Sequence, residues 1–535
     1  MNILLLSVIV IVYLAIIVYL GYLGYKGTKS VSDYMVGGRS IHPYIMAISY
    51  GATFISTSAI IGFGGAASIF GLSLLWLTFL NIFVGIFIAF VFFGRRTRQM
   101  GHNLNAHTFP ELLGERFKSK FLQGAAGILI FIGMPLYAGV VLIGVSHFIS
   151  ETLNINYEAS LFLFTSIIAL YVIMGGLKGV MYTDAFQGSL MFIGMIFLLI
   201  FTYSKLGGVI EAHRSLEALA PEAIKIFGKA GHQGWTKFPA SGSILWWQLV
   251  STLILGVGIG VLAQPQLVIR FMTVETNKEL NRAVLVGGIF ILIVIGVAFV
   301  VGSLSNVYFY NNPEFHKISF LAANKQVDKI IPLYINKAMP QWFTALFMVT
   351  LLSAAMSTLS SQFHVMGTSI GRDFYEKSLS RKGNTIFITK LGILITILIS
   401  LFLAYALPKF FPKGTEVIAR GTAIFFGLCA AAFLPIYIGA LYSKRITKAG
   451  AIAGFFSGTL VSAFWLFFMN LKVSKSLGLC KTLFGVDSLA QGTKFAFMDP
   501  ILFAVPVAMI FTILFSYFTV PPEKEHLDKC FHNIS

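Results

Sequence analysis

Charged residues are scarce in this sequence of 535 residues, at 11% of the total, and only 21 of them are acidic. An average soluble domain has about a quarter of its residues charged. Hydrophobic residues make up 57% of the chain, and the mean hydropathy is +0.83. The composition therefore excludes a soluble protein and predicts a multi-pass protein that is embedded in the lipid bilayer.

Cysteines are also few, and they lie far apart. Cys429, Cys480 and Cys530 show no spacing that indicates a disulfide framework or a zinc site. We recognise no cluster of nucleophile, base and orienting residue, so we do not expect an enzyme. The net charge is +18, but the basic residues lie between apolar runs, which indicates membrane topology rather than nucleic-acid binding.

Thirteen apolar runs are long enough to cross the roughly 30 Å hydrocarbon core of a bilayer. We place these predicted spans near residues 3–25, 43–69, 72–94, 122–148, 159–177, 183–204, 243–270, 282–308, 340–370, 385–407, 415–442, 448–470 and 498–520.

Basic residues are concentrated in alternate loops between these spans, whereas the short loops near Gly71 and Glu151 carry none. Cytoplasmic loops carry the excess of Lys and Arg in membrane proteins. We therefore expect a plasma-membrane or inner-membrane protein with its N-terminus outside the cell or in the periplasm and its C-terminus in the cytoplasm. The basic loop residues are Lys26, Lys29, Arg39, Arg95, Arg96, Arg98, Arg116, Lys118, Lys120, Arg372, Lys377, Arg381, Lys382, Lys444, Arg445 and Lys448.

Hydroxyl residues are concentrated in one otherwise apolar span, where residues 353–362 read SAAMSTLSSQ. Ser357, Ser360 and Ser361 share one helix face, with Thr358 beside them. Hydrocarbon offers these hydroxyls no partner, so the stripe suits a small hard cation that needs oxygen ligands. The alternative is that small hydroxyl residues allow close helix packing or bond to the carbonyl four residues earlier.

Glycine-rich stretches interrupt the second and seventh predicted spans. Residues 51–65 combine glycine with Thr and Ser, and Gly256, Gly258 and Gly260 precede the sequence QPQ. Interrupted helices in corresponding positions of two repeats point to a transporter binding site. Five spans separate the two breaks, which suits an inverted repeat of spans 2–6 and 7–11, although close helix packing also explains the glycines.

Seven short strings occur in order along the chain, beginning at Tyr34 (YMVGGRS), Gly51 (GATFISTSAIIGFGGA), Thr108 (TFPELLGERF), Gly175 (GGLKGVMYTDAFQG), Ala263 (AQPQLVIRFM), Met356 (MSTLSSQ) and Arg372 (RDFYE). Together they resemble the sodium/solute symporter family, which includes proline, pantothenate, sugar, iodide and sialic acid carriers. The resemblance implies an all-α membrane fold with about 13 transmembrane helices. It implies a LeuT-like five-plus-five inverted repeat with one extra N-terminal and two extra C-terminal helices.

The implied organisation divides the chain into six parts. They are an extra N-terminal helix and cytoplasmic loop at 1–42, the first inverted repeat at 43–204, an extracellular loop at 205–242, the second inverted repeat at 243–443, two extra C-terminal helices at 444–520 and a cytoplasmic tail at 521–535.

The same resemblance implies a main sodium site made of neutral oxygens. Its ligands are the carbonyl oxygens of the second and ninth spans and two hydroxyls of the ninth. A hard ion needs several oxygen ligands, and these form a plausible cage without a carboxylate. The implied ligands are Ala52, Ile55, Ala354, Ser357 and Thr358.

Some family members bind a second sodium ion, and the matching positions here are Ser56, Ser360, Ser361 and Asp184. The alternative for Asp184 is that it caps a helix starting near Ala185, because Asp is favoured at that position.

The substrate cavity is expected between the second, seventh and eleventh spans, near the bilayer midplane. The amino-acid sequence of the second span resembles that of the pantothenate and monocarboxylate branch, so we expect a small carboxylate as substrate. The alternative is a sodium/proline or other amino-acid symporter, against which we set Phe54, at a position where proline carriers have an acidic residue. The candidate substrate contacts are Thr53, Ser56, Ser58, Gln248, Val257 and Gly260.

The resemblance implies a secondary active symporter that imports a small organic solute by alternating access, with sodium as coupling ion, and that functions as a monomer. Two alternatives stay open. One is a channel or receptor on the same scaffold, and the other is a proton-coupled carrier that uses Asp184 or His364 as its relay.

Overall fold

A computed structural model describes residues 3–28, 30–381, 384–410 and 417–534. The regular structure of these residues is helical throughout, as the sequence predicts. The first seven helices are α1 (Ile3–Lys26), α2 (Val31–Val36), α3 (Pro43–Phe54), α4 (Gly64–Phe70), α5 (Leu75–Ile82), α6 (Arg95–Asn103) and α7 (Phe109–Arg116). Wider π-helical segments at Ser58–Phe63 and Phe83–Gly94 lead into α4 and α6.

Two long helices follow, α8 (Lys120–Leu153) and α9 (Tyr157–Lys205). Helix α9 covers both the fifth and the sixth predicted spans, and it is kinked at Gly176, whose φ of 60° and ψ of 171° are not helical. Two short helices, α10 (Val209–Ala218) and α11 (Ala220–Phe227), lie in the predicted extracellular loop.

The middle of the chain contains a second interrupted helix. It runs through α12 (Ile244–Trp247), a π-helical segment at Gln248–Gly256, α13 (Val257–Gly260) and α14 (Pro265–Phe271). The next helices are α15 (Asn277–Asn311), α16 (Ser319–Ala322), α17 (Ile330–Ala338) and α18 (Gln341–Thr368), the last of which continues in π-helical form through Ser369–Ser378.

The last helices are α19 (Thr385–Phe410), α20 (Val417–Tyr442), α21 (Lys448–Phe464), α22 (Leu471–Leu477), α23 (Leu479–Phe484), α24 (Ile501–Tyr517) and α25 (Lys524–Cys530). Within the described residues, ten helical stretches are long and apolar enough to cross a membrane, and two shorter apolar helices lie at Tyr157–Ala169 and Ile501–Tyr517. The structure therefore supports a multi-pass protein, while the count of thirteen spans stays a prediction.

Both predicted helix breaks are present. Helix α3 ends at Phe54 because Ile55 is extended, with φ −93° and ψ 99°. The second break falls at Gln264, with φ −73° and ψ 116°, where Pro265 disfavours helical geometry in the preceding residue and starts α14. Each break leaves backbone groups without partners from the next helical turn.

Helix α18 lies at the centre of the molecule. Of its most apolar 18-residue window, 94% is buried inside the protein, compared with 17% for the N-terminal helix α1. The hydroxyl residues of α18 thus face other helices rather than lipid. Helix α1 lies at the periphery, as an additional helix outside the core should.

The predicted basic loops meet at one end of the molecule. Arg96 Nη1 donates to the Leu441 carbonyl oxygen at 3.0 Å, and Arg116 Nη2 donates to the Ser443 carbonyl oxygen at 2.8 Å. The C-terminal segment reaches the same end, because Asn103 donates to the carbonyl oxygen of His532 at 2.8 Å. Lys29 and Lys382 lie outside the described residues.

Glu111 of α7 is the acidic centre of this basic end. Its carboxylate lies 2.9 Å from Arg372 Nη2 and 3.2 Å from Lys377 Nζ. Burial raises the pKa of the carboxyl, but hydrogen bonds from His107 and the charges of Arg372 and Lys377 outweigh it and lower the pKa to about 2. The ion pairs therefore persist at physiological pH and join α7 to the end of the α18 span.

Close glycine packing gives a first test of the fold. A Cβ atom on Gly302 of α15 would lie 2.0 Å from the carbonyl oxygen of Gly64, whereas one on Gly288 of the same helix would have nothing within 4 Å. We expect Gly302→Ala to destabilise the protein by about 1–3 kcal/mol, since backbone atoms must move. Gly288→Ala should be neutral or slightly stabilising. Thermal unfolding of both purified variants in detergent checks this, and equal melting temperatures would contradict the packing.

Candidate functional site

The interrupted end of α3 faces the hydroxyl residues of α18. Ser357 Oγ donates to the Ala52 carbonyl oxygen at 2.9 Å, and Thr358 Oγ1 donates to the Thr53 carbonyl oxygen at 3.0 Å. Helix α3 ends one residue after Thr53, so these are carbonyls that the next helical turn cannot satisfy. Side chains of α18 thus replace the missing turn.

Oxygen acceptors outnumber donors at this contact. Ser357 Oγ lies 2.9, 2.8 and 3.4 Å from the carbonyl oxygens of Ala52, Ser353 and Ala354, and a hydroxyl has only one proton to donate. A small hard cation would use the surplus lone pairs, because such ions prefer several oxygen ligands. Four of the five residues predicted for the main sodium site come together here; the fifth, Ile55, is the extended residue at the break. They are Ala52, Ala354, Ser357 and Thr358.

A fully buried ion pair lies beside this contact. Arg270 Nη2 of α14 is 2.8 Å from Asp184 Oδ2 of α9, and both side chains have no solvent exposure. Two residues of α3 join the pair: Ser49 Oγ lies 2.9 Å and Thr53 Oγ1 3.1 Å from Asp184 Oδ2. Arg270 also donates to Ser361 Oγ at 2.7 Å and to the Gln266 carbonyl oxygen. This network joins α3, α9, α14 and α18.

The predicted second sodium site is only partly assembled. Ser361 Oγ lies 3.5 Å from Asp184 Oδ2, but Ser360 Oγ donates to the Ser357 carbonyl oxygen at 3.2 Å. Ser56 contacts Tyr137 and the amide of Ser58 instead. The carboxylate of Asp184 is already neutralised by the Arg270 guanidinium group. The second sodium site stays a prediction.

The helix-capping alternative for Asp184 is wrong. The sequence suggested a loop between two spans and a helix starting near Ala185. Helix α9 instead continues through this position and is interrupted only at Gly176. Asp184 is inside the helix, where its backbone needs no cap and its carboxylate points to Arg270.

A small cavity of about 20 Å³ lies next to the break in α3. This volume holds about one water molecule. Of the predicted substrate contacts, Ser56, Ser58 and Val257 line it. Its other lining residues are Phe54, Ala59, Phe63, Leu77, Asn81, Tyr137, Ile295, Phe299, Thr422 and Phe426.

Three predicted substrate contacts lie elsewhere. The Thr53 hydroxyl belongs to the network around Asp184 and Arg270. Gly260 packs against α20, since a Cβ atom there would lie 2.6 Å from the Phe426 carbonyl oxygen. Gln248 is buried in the π-helical segment that precedes α13 and does not line the cavity. Helical spacing within one span could not reveal these positions, because neighbouring helices decide them.

Several residues of the site were missed from the sequence. The aromatic rings of the cavity look like ordinary membrane-span residues, and Ser49 and Arg270 gained significance only through Asp184. A weak signal existed for Ser49, which lies one helical turn before Thr53 on the same face of α3. Ser58 and Asn81 line the cavity, and their buried oxygens, Ser58 Oγ and Asn81 Oδ1, have no hydrogen-bond partner among the described residues.

Tyr13 was missed as well, because it belongs to the peripheral helix α1. Its hydroxyl accepts a hydrogen bond from Gln187 Nε2 at 3.0 Å and one from Ser353 Oγ at 3.3 Å. Gln187 lies three residues after Asp184, and Ser353 lies four residues before Ser357. Helix α1 thus joins the two helices that carry the ion pair and the hydroxyl contact.

The interrupted helices, the oxygen-rich contact between α3 and α18 and the neighbouring cavity are features of a membrane transporter of small solutes. Residues 34–458 match the profile of the Sodium:solute symporter family. The chain belongs to this family. It is accordingly a sodium-coupled symporter, with sodium as its coupling ion, and not an enzyme.

Comparison with known proteins gives relatives over most of the chain. The osmoregulated proline transporter OpuE of Bacillus subtilis (strain 168) is 26% identical over 458 residues, which cover 84% of this chain and 86% of the relative. The high-affinity proline transporter PutP of the same strain is 27% identical over 445 residues, covering 82% and 87%. The Staphylococcus aureus (strain USA300) sodium/proline symporter is 28% identical over 475 residues, covering 87% and 85%.

Solved structures agree on the fold. The outward-open, substrate-bound state of a sodium-coupled sialic acid symporter superposes with a TM-score of 0.74 at 18% identity, covering 97% of this chain and 99% of that one. MHP1, a nucleobase-cation symporter in a closed conformation, gives a TM-score of 0.51 at 11% identity, with 94% and 99% coverage. The predicted LeuT-like fold class is confirmed, while the boundaries of the six parts stay predictions.

The buried ion pair gives the second test. Removing one partner of a buried pair leaves the other charge uncompensated, so we expect Asp184→Asn or Arg270→Gln alone to destabilise the protein by about 3–5 kcal/mol. The double variant should lose less than the sum of the two. Glu158→Gln, which removes an exposed carboxylate of the same helix 3.7 Å from Lys409, should change stability by less than about 1 kcal/mol. Thermal unfolding measures all four variants, and additive losses in the double variant would refute the coupling.

Proposed function

We propose that this protein imports a small zwitterionic amino acid, such as proline, together with one sodium ion. Three of its relatives are proline transporters by name, which supports the amino-acid alternative rather than the carboxylate expected from the sequence. Phe54 lies where proline carriers have an acidic residue, and this counted against proline as the substrate. The aromatic rings of the cavity offer another way to bind an amino acid.

Aromatic rings line the cavity, and no carboxylate is among its described lining residues. Phe54 and Tyr137 flank Phe426, with ring centroids 6.2 and 5.2 Å from it. Aromatic faces attract ammonium groups, and they also pack against an apolar ring such as that of proline. No Lys or Arg is among the lining residues described, so a simple monocarboxylate would find no fixed positive partner there. A zwitterion carries its own compensating charge.

Polar recognition in this cavity would come from a few atoms. Ser58 and Asn81 are among its lining residues, and their side-chain oxygens, Ser58 Oγ and Asn81 Oδ1, have no hydrogen-bond partner among the described residues. Buried polar atoms of this kind are costly unless a ligand or water satisfies them. At about 20 Å³ the space is closed to a solute of proline's size, so binding requires helices to move apart, as alternating access supplies.

The surplus of oxygen acceptors around Ser357 is the observation that carries the sodium assignment. We assign the main site to the carbonyls of Ala52, Ile55 and Ala354 and the hydroxyls of Ser357 and Thr358. A sodium ion there would hold the interrupted α3 against α18 and so order the adjacent cavity for substrate. Release of sodium to the cytoplasm would loosen the same contact.

One sodium ion is sufficient for a neutral solute. An ion moving down a tenfold gradient and about 100 mV releases roughly 1.4 plus 2.3 kcal/mol, enough to concentrate such a solute several hundredfold. Arg270 already neutralises Asp184, so transport does not depend on a second ion at that carboxylate.

The orientation and the repeats complete the proposal. The end of the molecule that contains Arg96, Arg116 and Glu111 lies in the cytoplasm, because basic residues are in excess there, and the N-terminus lies outside. Residues 43–204 and 243–443 form the two inverted repeats. This division is supported by the breaks at Ile55 and Gln264, each of which falls in the first membrane-crossing stretch of its repeat.

Uptake into proteoliposomes tests the substrate. With sodium outside we expect accumulation of radiolabelled proline, and with choline at the same pH we expect none, because the gradient supplies the driving force. Lactate and pantothenate in excess should not compete. If either acid competes and proline is not accumulated, the substrate proposal fails while the sodium coupling stands. Uptake that ignores the exchange of sodium for choline would indicate proton coupling.

Hydroxyl removal tests the sodium site. Ser357→Ala and Thr358→Ala should each raise the sodium concentration for half-maximal uptake roughly tenfold or more, because a buried ion loses a ligand. Thr368→Ala is the matched control: this buried hydroxyl of the same helix donates to the Val365 carbonyl at 3.0 Å and should shift the value less than twofold. The Hill coefficient for sodium should be one. Unchanged sodium dependence in both site variants would refute the assignment.

A further inference from the structure

A second, larger cavity lies where the third membrane-crossing stretch ends. The π-helical segment Phe83–Gly94 passes into α6 at Arg95, and a cavity of about 410 Å³ opens beside this junction. This volume is in the range of small-molecule pockets. The described residues that line it include two arginines and no acidic residue: Val91, Phe92, Arg95, Arg96, Gln99, Asn277, Tyr442, Asn533 and Ile534.

Both guanidinium groups in the cavity wall are held by contacts with neighbouring residues. Arg95 donates from Nε and Nη2 to the Asn281 side-chain oxygen at 3.0 and 2.6 Å. The Arg96 guanidinium carbon lies 4.3 Å from the centre of the Tyr442 ring. Fixed guanidinium groups suit phosphate, which they bind through several charge-assisted hydrogen bonds. The amide side chains that also line the cavity can donate to phosphate or headgroup oxygens.

An exposed aromatic stripe runs along the outside of the protein to this cavity. Its side chains are 43–56% exposed, and neighbouring rings are 5.9 to 6.1 Å apart. Phe92 belongs to both the stripe and the cavity wall. In a membrane-spanning stretch these rings face lipid tails, so the stripe and the cavity together match an apolar chain that ends in a charged group. The stripe consists of Trp76, Phe79, Phe83, Phe87 and Phe92.

The geometry points to a binding site for an anionic phospholipid. Its phosphate binds Arg95 and Arg96, and its acyl chains lie along the aromatic stripe. Basic pockets at the ends of membrane helices are suited to anionic headgroups. Inorganic phosphate shares the headgroup chemistry but cannot use the stripe, which is why we commit to the lipid. The bound lipid would join α6 to the end of α20 and to the C-terminal segment, all of which line the cavity.

Thermal unfolding of the purified full-length protein in a neutral detergent tests this site. Dioleoyl phosphatidylglycerol should raise the melting temperature, because a ligand that binds only the folded state stabilises it. Dioleoyl phosphatidylcholine and inorganic phosphate at equal concentration should not. Dihexanoyl phosphatidylglycerol below its micelle concentration, with short chains that reach little of the stripe, should need at least about tenfold more lipid for the same shift.

Removing the two arginine charges tests whether phosphatidylglycerol acts at this cavity. Arg95→Gln with Arg96→Gln should raise the phosphatidylglycerol concentration for half the effect roughly tenfold or more. Arg282→Gln, which removes an exposed arginine of α15 outside the cavity, should leave this concentration unchanged.

Three results would overturn the proposal: an unchanged phosphatidylglycerol response in the double variant, an equal effect of phosphatidylcholine, or a full effect of inorganic phosphate. If the double variant does not fold, long-chain and short-chain phosphatidylglycerol can still be compared on the unmodified protein. Equal potency of the two lipids would show that the aromatic stripe does not bind acyl chains, and this too would overturn the proposal.

Discussion

The unpaired carbonyl groups at the end of α3 are the constraint on which the transport site depends. A helix that stops inside a membrane protein leaves carbonyls that neither water nor lipid can satisfy. The hydroxyls of Ser357 and Thr358 supply the hydrogen bonds to Ala52 and Thr53. The break is therefore stable only while α18 lies against it, so the strength of this one contact controls whether the two helices stay together or separate.

Thr53 links this contact to the buried ion pair. Its carbonyl oxygen accepts from Thr358, while its hydroxyl lies 3.1 Å from Asp184 Oδ2 and contacts Arg270. A movement of α3 relative to α18 must therefore disturb both the oxygen-rich contact and the charge network. The ion pair resists such a movement, because separating buried charges is far more costly than exchanging neutral hydrogen bonds. Arg270 belongs to the second interrupted helix, so the two broken helices move under one constraint.

The sequence predicted the parts of this arrangement that depend only on residues within a single helix. The spacing of Ser357 and Thr358 and the glycine-rich break near Ile55 were visible because each depends on helical periodicity or local backbone chemistry. The partner of Asp184 was not visible, since Arg270 lies 86 residues further along the chain. Ser56 went to the cavity and Thr53 to the ion pair, although both lie on the same segment, because the break turns the chain between them. Which site each of these residues faces depends on the direction of the backbone after the break, and composition does not encode that direction.

The charge of the cavity and the number of coupling ions are related physically. If the solute were a monoanion, one sodium ion would make transport electroneutral, and a tenfold gradient alone would supply roughly 1.4 kcal/mol, or about tenfold accumulation. A second sodium ion would then be needed for transport to draw on the membrane potential, and the carboxylate of its predicted site, Asp184, would have to be available to bind it. Asp184 instead has its charge balanced by Arg270 at 2.8 Å, and the described residues that line the cavity carry no charge. A neutral solute lets one ion draw on the full membrane potential, so the ion pair and the uncharged cavity favour the same substrate class.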